Sequence, residues 1–136
     1  MIFVDTCAII ARHLEGDQYH AIAFPLWQEL VEGNHRLITS NLVVNETMNY
    51  MIKRAGSSFA VNVGRSLYAS RRLSIVRTAG DDETRALHLL NQKGEPGYSF
   101  TDCVSMVLMG KHDIGEVFTF DDHFRQAGYK VVPETR

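Results

Sequence analysis

A chain of 136 residues is the length of one domain, taken here as 1–136, and folding at that size removes on the order of 70% of the unfolded surface from water, enough for a substantial core. Hydrophobic residues at 45% and charged residues at 22% exclude disorder, and a formal charge of −2 excludes a protein that grips nucleic acid through a broad basic surface. No apolar stretch reaches the roughly 18 residues that span a bilayer, and the N-terminal apolar run is too short and lacks the basic flank of a signal peptide, so the reading is a cytoplasmic protein with no membrane association.

The chain opens on Met1-Ile2-Phe3-Val4, an apolar run without alternation that is cut off by Asp5. Such a run suits a strand buried on both faces at the centre of a parallel sheet, and ligands of open α/β sheets gather at the carboxyl ends of strands. Asp5 therefore either lines a site or caps a helix running on from Thr6. A second helix is expected from Ala21 to Val31, stopped at Gly33, with Pro25 either bending it or marking its start. Residues 36–39 read as a second strand. Ser40 and Asn41 then supply capping oxygens for a helix through Ile52, on which Val43, Glu46 and Asn49 share a face. Glu46, an acid among apolar neighbours just after a strand, is a candidate inward-facing ligand; the plainer alternative is a solvated glutamate.

Gly56-Ser57-Ser58 opens a further helix to about Ser70. Lys53, Arg54, Arg65, Arg71 and Arg72 make this the most basic part of the chain, fitting either a solvated face or a track for phosphates. Residues 73–76 form the third strand, and Asp81, Asp82 and Glu83 are assigned to stabilising the first turn of the next helix. After Gly94-Glu95-Pro96-Gly97, Ser99 and Asp102 have the spacing of a capping box at the head of a nearly all-apolar, hence buried, helix. Asp102 fits both a cap and a cation ligand. Residues 116–120 form a fourth strand that again ends in acids, followed by a short helix to Ala127 and a fifth strand over 129–132. Asp121 directly follows the strand and is assigned to a metal shell; Asp122, one step into the helix, is assigned to capping.

This alternation argues a three-layer α/β fold with five parallel strands between helices. Asp5, Glu46, Asp102 and Asp121 each follow a strand or open a helix, positions that meet at one sheet edge. Carboxylates crowded together repel one another and stay partly protonated unless a cation joins them. Hard oxygen ligands without a usable Cys/His set point to Mg²⁺, with Mn²⁺ able to substitute, and to phosphoryl chemistry. Cys7 and Cys103 lack metal spacing and read as reduced core residues lying near each other behind the acids. His123 reads as a surface or structural residue, and Phe24 with Trp27 as core or dimer contact rather than a platform for bases.

The ordered set Phe3-Val4-Asp5-Thr6, Thr39-Ser40-Asn41 with Glu46 beyond it, Ser99-Phe100-Thr101-Asp102-Cys103 and Phe118-Thr119-Phe120-Asp121-Asp122-His123-Phe124 resembles the four acidic motifs of PIN-domain ribonucleases, and most closely those of VapC-like toxins. The resemblance covers nearly the whole chain. It implies a PIN-like fold, Mg²⁺-dependent endonucleolytic cleavage of an RNA substrate by an activated water, a homodimer, and inhibition by a small cognate antitoxin protein. It carries over Asp5, Glu46, Asp102 and Asp121 as catalytic metal-site acids, and Thr6, Ser99 and Thr101 as polar support. Two departures stand out: Glu95-Pro96-Gly97-Tyr98 leaves a peripheral acid shifted or missing, and Asp122 stands where a basic residue is frequent. The rival readings are a non-catalytic PIN-like domain that binds RNA or protein, against which the intact acids count, and an Asp-phosphorylating module, which lacks a second acid at Cys7.

Overall fold

The run Ile2-Phe3-Val4 forms β1 (Ile2–Val4), buried throughout, and a strand with no solvent-facing side needs neighbours on both edges and helices on both faces. The computed structural model, which describes residues 1–94 and 97–135, supplies both. On one edge β1 pairs with β2 (Leu37–Ser40), which pairs with β3 (Leu73–Val76); on the other it pairs with β4 (Glu116–Phe118), which pairs with β5 (Lys130–Val132). All pairings are parallel and the order is β3-β2-β1-β4-β5, so the first strand is central as its composition requires. Ile2 is level with both Leu37 and Glu116, which brings the carboxyl ends of β1, β2 and β4 to one edge.

The helices between strands are α1 (Thr6–His13), α2 (His20–Glu32), α3 (Asn41–Ala55), α4 (Ser57–Ala69), α5 (Gly80–Lys93), α6 (Phe100–Lys111) and α7 (Asp122–Gln126). Pro25 lies inside α2, five residues beyond its first residue, so it does not mark the start. Ser40 Oγ caps α3 by accepting from the Val43 amide at 3.2 Å, whereas Asn41 Oδ1 accepts from the Thr78 amide, clasping the end of β3 instead of capping. The acids assigned to the head of α5 do local work. Asp82 accepts from the Ala79 amide at 2.8 Å and from Lys111 Nζ at 3.2 Å, tying α5 to α6, and Glu83 accepts from the Thr78 hydroxyl.

The main apolar core gathers Phe3, Ile9, Leu37, Val43, Phe118 and Phe124 around the sheet, and a second group joins Ala86 on α5 to Cys103, Val104 and Leu108 on α6. Cys103 belongs to the α5–α6 contact while Cys7 packs against the main core. Glu95 and Pro96, where a peripheral acid was read as shifted or missing, lie outside the described residues. Among the described residues no helix is long and apolar enough to cross a membrane.

Candidate metal centre

The strand order reverses between β1 and β4, because the chain grows outward from β1 through β2 to β3 and returns to its other side for β4. A crevice opens at such a switch point, and the residues that leave the two strands face it. Asp5 leaves β1, and its amide donates to the Phe118 carbonyl at 3.0 Å, binding the two strand ends together. Although Asp5 stands at the cap position of α1, its carboxylate makes no cap bond. Its Oδ2 instead accepts from the Thr119 hydroxyl at 2.9 Å, with the Cys7 thiol 3.5 Å away. Of the two roles open to Asp5, the geometry thus excludes the cap.

Thr119 fastens this corner. While its hydroxyl donates to Asp5, its oxygen accepts from the Asp121 amide at 3.0 Å, so one buried side chain sets the positions of two acids. Cys7 adds a second tie, its sulfur accepting from the Phe120 amide at 3.2 Å. Thr119 is not a site candidate on sequence grounds, whereas Cys7 is expected behind the acids and is found there. The usable signal was a threonine inside the otherwise apolar run Val117–Phe120, since a hydroxyl buried in a parallel strand needs a partner.

Asp102 fills both of its roles at once. The Ser99 amide donates to its Oδ2 at 3.0 Å and Ser99 Oγ accepts from its amide at 2.9 Å, a reciprocal capping box at the head of α6. That box fixes the side chain and leaves Oδ1 without a hydrogen bond among the described residues. Asp121 takes the cap of α7, its Oδ1 accepting from the His123 amide at 3.0 Å. The cap therefore belongs to Asp121 and not to Asp122, which is the first residue of the helix. The same geometry holds Asp121 at the end of the β4 segment, on the wall shared with the other acids.

Asp5, Thr6, Glu46, Ser99, Asp102 and Asp121 line one cavity of about 330 Å³. Glu46 lines the same cavity and is its solvent-exposed acid. Thr101 sits in the first turn of α6 and is not on the cavity wall. Arg71 and Arg72 precede β3, at the amino end of the sheet and away from the acids. A hollow of about 520 Å³ near Arg12, Trp27 and Arg72 has Glu32 as its one carboxylate and lacks convergent acids.

The electrostatics follow from the crowding. Asp5 is 4% exposed, and burial, reinforced by the charge of Asp102, pushes its pKa up to about 7 against the pull of Thr119, the Thr6 amide and Cys7. Burial also raises Asp102, the Asp121 charge adding to it while the Ser99 amide and His123 oppose it. The Cys7 thiol is pushed up by burial and by the Asp5 charge, which makes it a structural group rather than a nucleophile.

Two orphan atoms lie beside the acids, Thr6 Oγ1 on the cavity wall and His123 Nδ1 next to Asp102 and Asp121. Thr6 is 7% exposed, yet its Oγ1 has no hydrogen-bond partner. His123 Nδ1 is likewise buried without a hydrogen bond, 3.0 Å from Asp121 Oδ1 and 3.6 Å from Asp102 Oδ2. One ligand atom from each of Asp102, Asp121 and His123 lies within 4.8 Å of the others. His123 is held by its neighbours: its ring lies 4.7 Å from that of Tyr98, whose hydroxyl donates to the His123 carbonyl. The sequence reading left His123 as a surface or structural residue, and the structure brings it into the acid cluster.

Comparison with known proteins adds to this geometry. The family model described as the PIN domain matches residues 2–129. The 23S rRNA-specific endonuclease VapC20 of Mycobacterium tuberculosis is 33% identical over 135 residues, covering 98% of this chain and 100% of that protein. The crystal structure of Mycobacterium tuberculosis VapC20, described as a sarcin-ricin loop cleaving toxin, has a TM-score of 0.86 at 30% identity over 95% of this chain and 96% of that one. VapBC2 from Rickettsia felis, bound to a DNA fragment from their promoter, shares the fold with a TM-score of 0.70 at 15% identity, over 96% and 97% of the two chains.

Proposed function

The chain belongs to the PIN-domain family, and from that premise we propose that it is the endoribonuclease toxin of a toxin–antitoxin pair, cutting phosphodiester bonds of ribosomal RNA with a divalent cation held by Asp5, Asp102 and Asp121. The observation that carries this reading is the meeting of those three acids with the unpartnered Thr6 hydroxyl in one cavity at the switch point of the sheet. Ribosomal RNA is the proposed substrate because VapC20, matched along its full length, acts on 23S rRNA. The proposed partner is a small antitoxin protein that blocks the cavity.

Mg²⁺ fits the oxygen-rich donor set, with Mn²⁺ as a substitute. When bound, such a cation lowers the pKa of an attacking water and offsets charge at the scissile phosphate. The chain's own residues hold the geometry in which this occurs. Thr119 donates to Asp5 Oδ2 and so holds that carboxylate on the cavity wall. The Ser99 capping box does the same for Asp102, and the α7 cap holds Asp121. Glu46, exposed at the rim, stands where it can orient an incoming strand or accept a proton from water entering the cavity.

The test is to incubate the purified protein with ribosomal RNA and Mg²⁺, and in parallel with a chelator, and to map the new ends by sequencing. Discrete cuts that require the cation are expected. Binding of the RNA without cutting, at any Mg²⁺ or Mn²⁺ concentration, would instead identify a non-catalytic domain of the same fold.

A further inference from the structure

A carboxylate cluster alone does not select its cation, because Mg²⁺ and Mn²⁺ both accept oxygen ligands in octahedral sites. A nitrogen donor does discriminate: imidazole suits transition metals, while Mg²⁺ prefers carboxylate, carbonyl and water. We propose that His123 Nδ1 is a direct ligand of the cation bound by Asp102 and Asp121, and that this nitrogen makes the centre bind Mn²⁺ more tightly than Mg²⁺. The proposal rests on the reading of these acids as a metal site and specifies which metal that site takes.

Three observations support it. His123 Nδ1 is buried without a hydrogen bond, a state that buried polar atoms rarely keep without some other partner. Its neighbours are carboxylate oxygens at 3.0 and 3.6 Å, and an octahedral cation with ligands at about 2.1 Å spaces adjacent ligand atoms by about 3.0 Å. The ring is also fixed against swinging away. It packs at a tilt against the Tyr98 ring, centroids 4.7 Å apart, and on its other nitrogen it meets Gly97, where an added Cβ would lie 2.6 Å from Nε2. Gly97 has φ +106°, so both its backbone and its missing side chain make room for the imidazole.

The Thr6 hydroxyl supports the same centre independently, since it is nine-tenths buried, unpartnered, and on the wall of the cavity formed by the acids. The other histidines, at positions 13, 20, 35, 88 and 112, belong to no group of potential metal ligands among the described residues, whereas His123 shares one with Asp102 and Asp121. A nitrogen signal from the bound metal is therefore attributable to His123.

The experiment is pulsed electron paramagnetic resonance of the Mn²⁺-loaded, otherwise native protein, prepared with ordinary and with ¹⁵N-labelled histidine. The expected result is a directly bound nitrogen whose coupling changes with the isotope and disappears in His123→Gln. Calorimetric titration should show the Mn²⁺ over Mg²⁺ affinity ratio falling by about tenfold or more in that variant, since even a partner of a ligand is typically worth about 10- to 100-fold. The isotope arm needs no substitution, so it decides the matter even if His123→Gln fails to fold. Mn²⁺ bound without nitrogen coupling, or with coupling that survives in His123→Gln, would overturn the proposal and leave the acid site standing. Failure of both metals to bind would overturn the metal-site reading as well.

Discussion

Asp5 illustrates at the scale of one residue how a site is built at the expense of stability. Its folded pKa of about 7 lies above the ordinary value near 3.8, so between those limits the native state holds a proton that the unfolded chain has released. The stability associated with that proton is complete below about pH 4 and is lost as the pH rises through 7, at up to about 1.4 kcal/mol per unit. Cation-free protein is therefore expected to unfold at lower urea concentration at pH 8 than at pH 5, and Asp5→Asn should flatten the dependence. Equal midpoints in the wild type at the two pH values would contradict the burial assigned to Asp5. Thr119→Val keeps the shape but removes the donor to Asp5 and the acceptor for the Asp121 amide. It should cost about 1–3 kcal/mol in denaturant unfolding and raise the Mg²⁺ concentration needed for cleavage. The adjacent pair separates in the same titration: Asp121→Asn should raise the Mg²⁺ requirement, whereas Asp122→Asn should leave it near the wild-type value, because the cap and the cavity wall both belong to Asp121.

At the scale of elements, the site depends on how helices begin. Ser40, Ser99 and Asp121 each cap the helix that follows, and two of these caps also hold an acid in place. Ser40→Ala removes a cap whose oxygen bonds the Val43 amide and none of the three acids, and it should lower stability by about 1 kcal/mol with cleavage intact, as read from parallel melts and rate assays. Gly97→Ala should act differently, costing roughly 1–3 kcal/mol for its positive φ and pressing the His123 ring out of place, so that activity falls with stability. The elements themselves were legible because their signals are local. An unbroken apolar run marks the central strand, and Ser99 with Asp102 marks the head of α6. What was not legible depended on a partner distant in sequence. The clasp between Asn41 and Thr78, the tie from Thr119 to Asp5, and the approach of His123 to Asp102 pair residues 37, 114 and 21 positions apart. Spacing on α3 likewise left Glu46 open between a ligand and a solvated glutamate, and in the structure it is both exposed and on the cavity wall.

At the scale of the whole molecule, the sheet gathers the acids at one edge and leaves apolar side chains uncovered elsewhere. Phe24 on α2 and Val61 and Tyr68 on α4 are exposed at 40%, 43% and 60%, and the homodimer implied by the family resemblance is predicted to cover such side chains. Sedimentation at micromolar concentration should give twice the chain mass, and Tyr68→Asp combined with Phe24→Ser should shift it to the monomer; a wild-type monomer would argue against this surface. The central claim is that Asp5, Asp102 and Asp121 form one cation site that cuts RNA, and it is tested most directly by the rate of RNA cleavage against Mg²⁺ concentration for the wild type and Asp102→Asn. The variant keeps the side-chain volume and removes one charge from a crowded site, so it should fold at least as stably without metal and lose cleavage by orders of magnitude. Full activity of Asp102→Asn at the Mg²⁺ concentration that suffices for the wild type would contradict the account.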